Sequence, residues 1–496
     1  MRSTFLFPSI ATLAVALAGS SPPEPLFDLV IANGRVMDPE SRLDAVRHLG
    51  IRGARIVAIS ETPLSSVRVI DASRHVVAPG FVDLHEHGQQ EESYRMMVRD
   101  GVTSAFELEV GTGDVAAWYA AREGGQLVNY GVAVGHIPVR MKVLGDPGSG
   151  LLPAGIGGSG AASEAQLSAM EALLREGLAQ GAVAMGFGSA YTPGATMSEL
   201  ERMFRVAAAG GVAVHIHMRG GLLGLKETIA AAAAARAPLH IVHVNSSADA
   251  ELDAFLAAIQ AARAAGQDVT TEAYPYGAGM TEIQSALFDD WASWPDERFG
   301  LHQLVSTGER LTRTSFEQAR KAGGTVIIHG RSEQQTRTAI ASPLAMIASD
   351  GFIEKGRGHP RTSGTYAKVL GRYVREERAV TLMDALRRMT LEPSRRLERR
   401  APAMARKGRI RTGADADLVV FDPATVIDRA TYEDATIPSA GIPYVVVRGQ
   451  VVVNRGELTA VRPGQAVRAP VEVRAPDPGQ ASGAIGTGST RQISRQ

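Results

Sequence analysis

The chain contains no cysteine among its 496 residues. A disulfide framework, a thiolate metal site and a cysteine nucleophile are therefore all excluded. The charges show no excess of either sign, because 52 lysines and arginines balance 52 aspartates and glutamates. This balance gives no reason to expect nucleic acid or an anionic membrane as a partner. With 45% hydrophobic and 21% charged residues, the composition is that of a globular protein with room for one large and one smaller domain.

Long apolar runs are also missing after the N-terminus, so no later segment is predicted to span a membrane. Residues 1–20 carry Arg2, then an apolar run, and then the small-residue sequence Ala16-Leu-Ala18. This pattern predicts a signal peptide, since the run falls short of the ~20 residues that cross a bilayer. No cysteine follows it, which argues against a lipoprotein anchor. We expect an exported protein of the periplasm; a buried helix or a membrane anchor is the alternative.

The stretch Ala78-Pro-Gly-Phe-Val-Asp-Leu-His-Glu-His-Gly88 reads as a buried strand that ends in two histidines. Side chains alternate along a strand, so His85 and His87 share a face and Glu86 points away from them. Two imidazoles side by side at a strand end suit a divalent metal such as zinc. A strand that carries two histidines without binding a metal is the alternative.

Two β-rich segments flank a central region in which strands alternate with helices. The flanking segments, residues 26–77 and 405–470, read as short strands separated by turns and suggest one small sheet domain built from both chain ends. The alternation within residues 78–400 predicts a parallel sheet closed by helices. Residues 474–496 are rich in Pro, Gly, Ser and Gln, and we expect a disordered tail there.

Apolar runs predict the strands of the central region. We place these strands at residues 81–85, 104–109, 131–134, 183–187, 212–217, 240–244, 325–329 and 345–349. A further strand at 268–272 makes the count uncertain by one. Active sites of parallel barrels form at the carboxyl ends of the strands, so reactive side chains at those ends carry the most functional weight.

Several histidines and one aspartate lie at such ends. His215 and His217 share a face near the end of one predicted strand, and His243 ends another. Asp350 closes an apolar run just before Gly351. A carboxylate in that position can take a proton from an attacking water and return it to a leaving nitrogen, although an Asp-Gly pair by itself is usually a turn.

A set of motifs occurs in one order along the chain. They are Gly101-Val-Thr103, Tyr191-Thr-Pro-Gly194, His217-Met-Arg219, Glu272-Ala-Tyr-Pro-Tyr276, Ser349-Asp-Gly351 and His359-Pro-Arg361. Together they resemble the N-acyl-D-amino-acid deacylases, or D-aminoacylases, of the amidohydrolase superfamily. The match runs from Leu26 to about Gly456. It implies an α/β fold, a distorted (β/α)8 TIM-type barrel with a small β-sandwich domain built from both chain ends.

The resemblance also implies one or two zinc ions. The implied ligands are His85, His87, His217, His243 and Asp350, with Asp350 as the catalytic general acid/base. His217 is preferred over His215 because of the His-Met-Arg match, and His215 remains the alternative ligand. Zinc in such a site supplies a Lewis acid for attack on an amide carbonyl.

Arg361 is the best candidate to clamp a substrate carboxylate, because guanidinium pairs with carboxylate in a two-pronged geometry. An ordinary loop ion pair is the alternative. The other residues predicted to bind substrate are His359, Tyr274, Tyr276, Arg219, Asn245 and Tyr191, and Met280 and Thr281 could line the same pocket.

The chain departs from the family pattern after the second strand, where the family usually has a cysteine ligand. The sequence there is Phe106-Glu-Leu-Glu-Val-Gly111. A carboxylate inside a barrel is costly unless it is paired or binds a metal, so we expect Glu109 to be the replacement ligand, with Glu107 second in line. A carbamylated lysine ranks below them, because no lysine ends a predicted strand.

A second departure is Asn245, where the family tends to place a lysine that helps to hold the substrate carboxylate. An amide adds no charge attraction, so carboxylate recognition rests on Arg361 and Arg219, or the substrate differs.

The sequence thus predicts an exported, metal-dependent hydrolase of a linear amide, either an N-acyl-D-amino acid or a dipeptide containing a D-residue. The alternatives are a hydantoinase-like or dihydroorotase-like hydrolase of cyclic amides, a hydrolase of another carboxamide, and a non-catalytic barrel scaffold. The acyl group, the side chain, the stereochemistry, the metal count and the oligomeric state are not fixed by the sequence.

Overall fold

The computed structural model describes residues 27–148 and 150–471. The predicted signal peptide, residues 1–20, and the predicted disordered tail, residues 474–496, lie outside the described residues.

Short strands separated by turns precede the barrel. They are β1 (Leu29–Asp38), β2 (Leu43–Arg52), β3 (Arg55–Ser60), β4 (Val69–Asp71) and β5 (Val76–Pro79). β2 pairs antiparallel with β1 and β3, whereas β4 and β5 run parallel to β1. Gly53, with a φ of +53°, supplies the left-handed residue of the tight turn between β2 and β3.

The next strands pair in parallel, each with its successor in the chain. They are β6 (Phe81–Asp83), β7 (Val102–Thr112), β8 (Asn129–Gly135), β9 (Met185–Gly188), β10 (Val214–His217), β11 (Leu239–Ile241) and β12 (Val269–Ala273). Nearly all their residues are buried, which is typical of a parallel sheet covered by helices on its outer face.

An insertion with a sheet of its own follows β12. It contains β13 (Gly279–Glu282), β14 (His302–Leu304) and β15 (Thr325–Ile328), and β15 pairs antiparallel with both of the others. The prediction of a barrel strand at 325–329 is therefore wrong, and the extra strand predicted at 268–272 takes its place as β12. Residues 325–329 contain the more apolar run of the two, and a short apolar run does not tell a barrel strand from a strand of an antiparallel insertion.

The last parallel strand, β16 (Ala345–Ile347), pairs with β12 and brings the parallel strands of the described chain to eight. Beyond β16 the ring approaches closure, because the Asp350 backbone N–H donates to the His85 carbonyl oxygen at 2.7 Å. The predicted fold class, an α/β protein with a TIM-type barrel, is confirmed.

Strands from the two chain ends form one continuous sheet beside the barrel. After the hairpin β17 (Ile353–Glu354) and β18 (Arg357–Gly358) come β19 (Leu418–Phe421), β20 (Tyr444–Val447), β21 (Gln450–Asn454) and β22 (Glu457–Leu458). β19 pairs antiparallel with β5, which gives the order β22-β21-β20-β19-β5-β1-β2-β3. Ile31, Leu49, Val77 and Val420 are buried in the core of this sheet.

The helices alternate with the barrel strands and continue into the C-terminal region. They are α1 (Glu91–Arg99), α2 (Val115–Ala120), α3 (His136–Leu144), α4 (Ile156–Ser159), α5 (Glu164–Ala179), α6 (Met197–Ala209), α7 (Gly221–Ala235), α8 (Val244–Ser247), α9 (Leu252–Ala264), α10 (Asp296–Phe299), α11 (Arg313–Ala322), α12 (Glu333–Ala341), α13 (Arg361–Lys368), α14 (Leu382–Leu386) and α15 (Glu392–Glu398).

Local sequence explains the placement of these helices. α5 begins at a capping box, in which Ser163 and Gln166 bind each other's backbone N–H groups. The alanine-rich α7 and α9 bury Leu225, Phe255 and Ile259 in the main core, which joins helices to barrel strands. Within residues 27–148 and 150–471, no helix has the length and apolarity needed to cross a membrane.

Candidate metal centre and active site

Histidines and carboxylates meet at the carboxyl ends of the barrel strands. They are His85 and His87 after β6, Glu109 on β7, His217 at the end of β10, His243 after β11 and Asp350 after β16. Parallel strands bring their carboxyl ends to one side of a barrel, which explains why residues so far apart in sequence lie together.

One group of possible ligands consists of His85, His87, Glu109 and Asp350, whose donor atoms lie within 4.8 Å of one another. His85 Nε2 is 2.6 Å from Glu109 Oε2 and 3.2 Å from His87 Nε2. Asp350 Oδ1 lies 3.4 Å from the Nε2 atoms of both histidines. The four side chains therefore converge on one small space.

A second group consists of Glu109, His217 and His243. His217 Nδ1 lies 3.1 Å from Glu109 Oε1 and 3.1 Å from His243 Nε2. Glu109 therefore belongs to both groups and directs Oε2 to the first and Oε1 to the second. A carboxylate in this arrangement can bridge two cations.

Two further carboxylates orient the first pair of histidines. Glu272 Oε1 accepts a hydrogen bond from His85 Nδ1 at 2.5 Å, and Glu107 Oε2 accepts one from His87 Nδ1 at 2.6 Å. Glu272 is held in turn by His240 Nε2 at 3.0 Å. With the proton of each ring on Nδ1, Nε2 is left as the lone-pair atom, which is the tautomer that binds a metal through Nε2.

The geometry of this pair fits a bound cation. In these tautomers two lone pairs, on His85 Nε2 and His87 Nε2, face each other at 3.2 Å, and they repel unless a cation or a proton lies between them. The buried carboxylate of Glu109 adds negative charge to the same space, which is costly without a positive partner. Imidazoles combined with carboxylates form a donor set that Zn²⁺ accepts.

The protonation states of neighbouring groups also fit a bound cation. Burial, together with the charge of His217, lowers the pKa of His243 to about 3, so this ring is neutral and can serve as a ligand. Although burial opposes it, the adjacent His85 and the hydrogen bond from His240 lower the pKa of Glu272 to about 2. Glu272 therefore stays ionised and keeps its role as acceptor.

The backbone is strained at two of the ligand positions. Asp350 has a φ of 53° and His243 a φ of 33°, both in the left-handed region that side chains other than glycine avoid. Such a conformation costs of order 1 kcal/mol or more and persists where the surroundings enforce it. At Asp350 the hydrogen bond to the His85 carbonyl helps to do so.

A cavity of about 180 Å³ opens beside both groups of ligands. It is lined by His87, Glu109, Val110, Leu151, Leu152, Tyr191, His217, His243, Ser246, Tyr274, Gly279, Met280, Thr281, Glu282, Leu287, Ile328, Arg331, Asp350 and Phe352. A mostly apolar wall with a few convergent polar groups is the usual form of a site for a small molecule.

Comparison with known proteins identifies the family. A family model described as the amidohydrolase family matches residues 68–453. The chain belongs to the amidohydrolase family. This result confirms the resemblance seen in the sequence motifs.

Among curated relatives, the N-acyl-D-glutamate deacylase of Alcaligenes xylosoxydans xylosoxydans is 32% identical to this amidohydrolase, over 89% of this chain and 96% of the relative. The D-aminoacylase of the same organism is 29% identical, over 88% of this chain and 97% of the relative. Among solved structures, the N-acyl-D-glutamate deacylase of Bordetella bronchiseptica, complexed with zinc and a phosphonate inhibitor, is 28% identical with a TM-score of 0.79. That match covers 90% of this chain and all of that one.

The structure of this amidohydrolase brings together the predicted metal ligands, Glu109 included. His217 lies in the cluster, whereas the alternative His215 does not and instead stacks on His240 with ring centroids 4.5 Å apart. Glu107, second in line as a ligand, binds His87 Nδ1 instead. Lys142, the lysine nearest to a predicted strand end, is exposed in α3.

Two of the residues predicted to bind substrate line the cavity, Tyr191 and Tyr274, and so do Met280 and Thr281. The Tyr191 ring packs edge-on against His217 with centroids 4.6 Å apart. The Tyr274 ring lies near His243, with centroids 6.4 Å apart, so both tyrosines lie beside the ligand cluster.

Arg361 and His359 lie behind the cavity lining. Arg361 is fully buried, and its Nη1 lies 2.8 Å from Asp350 Oδ2. His359 Nδ1 accepts a hydrogen bond from the Arg361 backbone N–H, and its Nε2 donates to the Ala278 carbonyl oxygen, both at 3.1 Å. The arginine predicted to clamp the substrate is thus paired with the predicted general acid/base.

The remaining predicted substrate residues are also absent from the lining and engaged elsewhere. Arg219 donates to the carbonyl oxygens of Thr192, Pro193 and Ala195, at 2.7 to 3.3 Å. The Asn245 side chain bonds both backbone groups of Tyr274, and the Tyr276 hydroxyl donates to Asp428 Oδ2 at 3.0 Å. These three side chains position the loops around the site.

Glu272 and Arg331 are among the site residues that were not found from the sequence. Glu272 belongs to the motif Glu272-Ala-Tyr-Pro-Tyr276, but the sequence analysis gave it no function. Had residues 269–273 been assigned to the barrel, Glu272 would have been found at the carboxyl end of a barrel strand. Arg331 lines the cavity, and no local signal marks it, because the path of the insertion brings it there.

Proposed function

We propose that this amidohydrolase uses one or two zinc ions to hydrolyse the amide bond of an N-acyl-D-amino acid. The observation that carries the proposal is the pair of ligand groups that share Glu109 and lie at the wall of a cavity together with Asp350. The relatives named as N-acyl-D-glutamate deacylase and D-aminoacylase support the same reaction and the D-configuration.

The ligand residues would hold the metal in two ways. His85, His87 and Asp350 form one side of the site, His217 and His243 the other, and Glu109 serves both. When bound there, zinc supplies Lewis acidity that polarises an amide carbonyl and makes water a stronger acid.

Asp350 is placed to move the protons. Its Oδ2 is engaged by Arg361, while Oδ1 faces the histidine pair. Asp350 takes a proton from the attacking water and delivers it to the nitrogen that leaves as the amine. Although burial opposes it, the charge of Arg361 and the neighbouring His85 lower the pKa of Asp350, so the side chain is ionised at neutral pH.

The direct test is amine release from matched N-acetyl D- and L-amino acids by zinc-loaded protein, with a chelator-treated sample beside it. We expect release from the D-substrates, loss of that release with chelator, and its return when zinc is added back.

Two results would contradict the proposal. One is the absence of release from any N-acetyl-D-amino acid by a sample whose metal content has been measured. The other is release that is the same before and after the metal is removed. Hydrolysis of hydantoin or dihydropyrimidine rings in place of the linear amides would favour the cyclic-amide alternative.

We propose in addition that the protein is exported to the periplasm. Arg2, the apolar run and Ala16-Leu-Ala18 support this location. N-terminal sequencing of the protein from a periplasmic fraction tests it, and recovery of the uncleaved chain from the cytoplasm alone would argue against export.

A further inference from the structure

A substrate that carries a carboxylate calls for a cation in the cavity, and the two arginines predicted for that role, Arg361 and Arg219, do not line it. Arg361 is fully buried, with Nη1 on Asp350. The Arg219 guanidinium donates hydrogen bonds to three carbonyl oxygens of the loop at residues 192–195. Neither side chain lines the cavity.

Arg331 is the one arginine or lysine among the described residues that line the cavity. Its Nη1 donates to the Tyr274 hydroxyl at 2.7 Å. Tyr274 is held in turn by Asn245, which accepts from its backbone N–H and donates to its carbonyl oxygen. The guanidinium therefore stands beside a fixed hydroxyl group at the cavity wall.

The backbone around Arg331 leaves space for this arrangement. The Arg331 N–H donates to the Gly277 carbonyl oxygen at 3.1 Å, which ties the end of the insertion to the segment before β13. A Cβ atom at Gly279 would lie only 2.7 Å from Arg331 Nη2. A glycine at this position lets the guanidinium lie against the backbone.

Apart from the residues of the proposed metal site, the described lining of the cavity is mostly apolar and contains no other arginine or lysine. Leu151, Leu152, Leu287, Ile328 and Phe352 give it an apolar surface. An anionic end of a substrate would therefore turn towards Arg331, and an apolar part would turn towards these side chains.

We propose that Arg331, together with the Tyr274 hydroxyl, binds the α-carboxylate of the substrate and sets the requirement for a free acid. This inference rests on the proposed deacylase function. Guanidinium and carboxylate form a charge-assisted pair, and the hydroxyl adds a second donor from a fixed position.

The test compares N-acetyl-D-leucine with N-acetyl-D-leucinamide, which carries a neutral amide in place of the α-carboxylate. Acetate release is the readout for both substrates. Wild-type protein should favour the acid. In Arg331→Gln, kcat/KM for the acid should fall about 10- to 100-fold, as expected for loss of a hydrogen bond to a charged group. For the amide it should change by less than about threefold, because that substrate has no charge to lose. The loss should appear mainly in KM.

Two more variants complete the design. Gly279→Ala keeps the arginine but crowds Nη2, so it should weaken selection of the acid by a smaller factor than Arg331→Gln. Arg310→Gln removes an exposed arginine of the same insertion and should leave the acid-to-amide ratio unchanged.

Several outcomes would overturn the assignment. An unchanged acid-to-amide ratio in Arg331→Gln would do so, as would an equal fall for both substrates in a variant whose melting temperature matches the wild type. If metal-loaded wild-type protein cleaves neither substrate, nor any other N-acetyl-D-amino acid, the proposed function fails and this inference with it. Cleavage of the acid by wild type together with an unchanged ratio in the variant refutes the Arg331 assignment alone.

Discussion

Arg361 Nη1 lies 2.8 Å from Asp350 Oδ2, and both side chains are buried at the carboxyl end of the barrel. This pair stabilises the ionised form of the carboxylate proposed to move protons in the reaction. It also fixes the direction of the carboxylate, because Oδ1 is left facing His85 and His87. Sequence motifs place both residues near the site, but only the structure shows that they contact each other.

Replacement of Asp350 by Asn should lower kcat by at least about 10²-fold, since general acid/base catalysis contributes ~10²–10⁴-fold in rate. The amide keeps the size of the carboxylate but cannot accept the proton. Steady-state kinetics of zinc-loaded variant and wild type measure the effect. Asp434→Asn, at an exposed position, is the control. Undiminished turnover by the Asp350 variant would rule out its assigned role.

Glu109 and Glu107 should differ in their effect on metal content. Glu109→Gln removes the shared charge of both ligand groups, so at least one zinc ion should be lost after dialysis. Glu107→Gln removes only the partner of His87 Nδ1, so zinc should remain but bind about 10- to 100-fold more weakly. Metal analysis after dialysis against graded chelator separates the two cases. Full zinc retention by Glu109→Gln would exclude it as a ligand.

The ligand cluster could be predicted from sequence because its signals are local. Alternation along a strand puts His85 and His87 on one face, and the strand-end rule gives weight to His217, His243 and Asp350. The resemblance to the D-aminoacylases decided for His217 over His215. Glu109 was expected because the segment after the second strand lacks the cysteine ligand usual in that family, and because burying an unpaired carboxylate is costly.

The predictions that failed concern features that depend on long-range packing. The strand at residues 325–328 is more apolar than the barrel strand at 269–273, so apolar character favoured the wrong segment, and the pairing partners of the two strands show which one belongs to the barrel. Arg331 reaches the cavity from the loop between β15 and α12, where its backbone N–H bonds the Gly277 carbonyl oxygen. Arg219 does not line the cavity, and its guanidinium donates instead to three carbonyl oxygens of a loop. No short motif encodes such contacts.

Asp100 should make the protein less stable as the pH rises. Burial, with a smaller effect of Asp428, raises the pKa of Asp100 to about 7 despite hydrogen bonds from the Tyr366 and Ala367 backbone and the Ser439 hydroxyl. The folded state therefore holds a proton that the unfolded state releases near pH 4. This contribution to stability is present below about pH 4 and is lost as the pH rises through about 7.

The measurement is urea unfolding of wild type and Asp100→Asn between pH 4 and pH 8. The free energy of unfolding of the wild type should fall relative to the variant across this range, by up to about 4 kcal/mol for a shift of about three pKa units. Because the other titrating groups are common to both proteins, their effects cancel in the difference. A difference that stays constant with pH would show that the pKa of Asp100 is not raised.

The cavity wall should favour apolar D-side chains over acidic ones, although one relative is named an N-acyl-D-glutamate deacylase. Leu151, Leu152 and Ile328 can cover an aliphatic group, whereas the Glu282 carboxylate on the same wall repels an acidic one. We expect kcat/KM for N-acetyl-D-leucine to exceed that for N-acetyl-D-glutamate by about tenfold or more, since one methylene in a pocket already changes it ~10-fold. N-acetyl-D-glutamine, which matches glutamate in shape without its charge, should fall between them.

Glu282→Gln should raise activity on the glutamate substrate but not on the glutamine one. Equal or better use of N-acetyl-D-glutamate by wild type would contradict this view of the wall, because Glu282 would then have to be neutralised or turned away in the substrate complex.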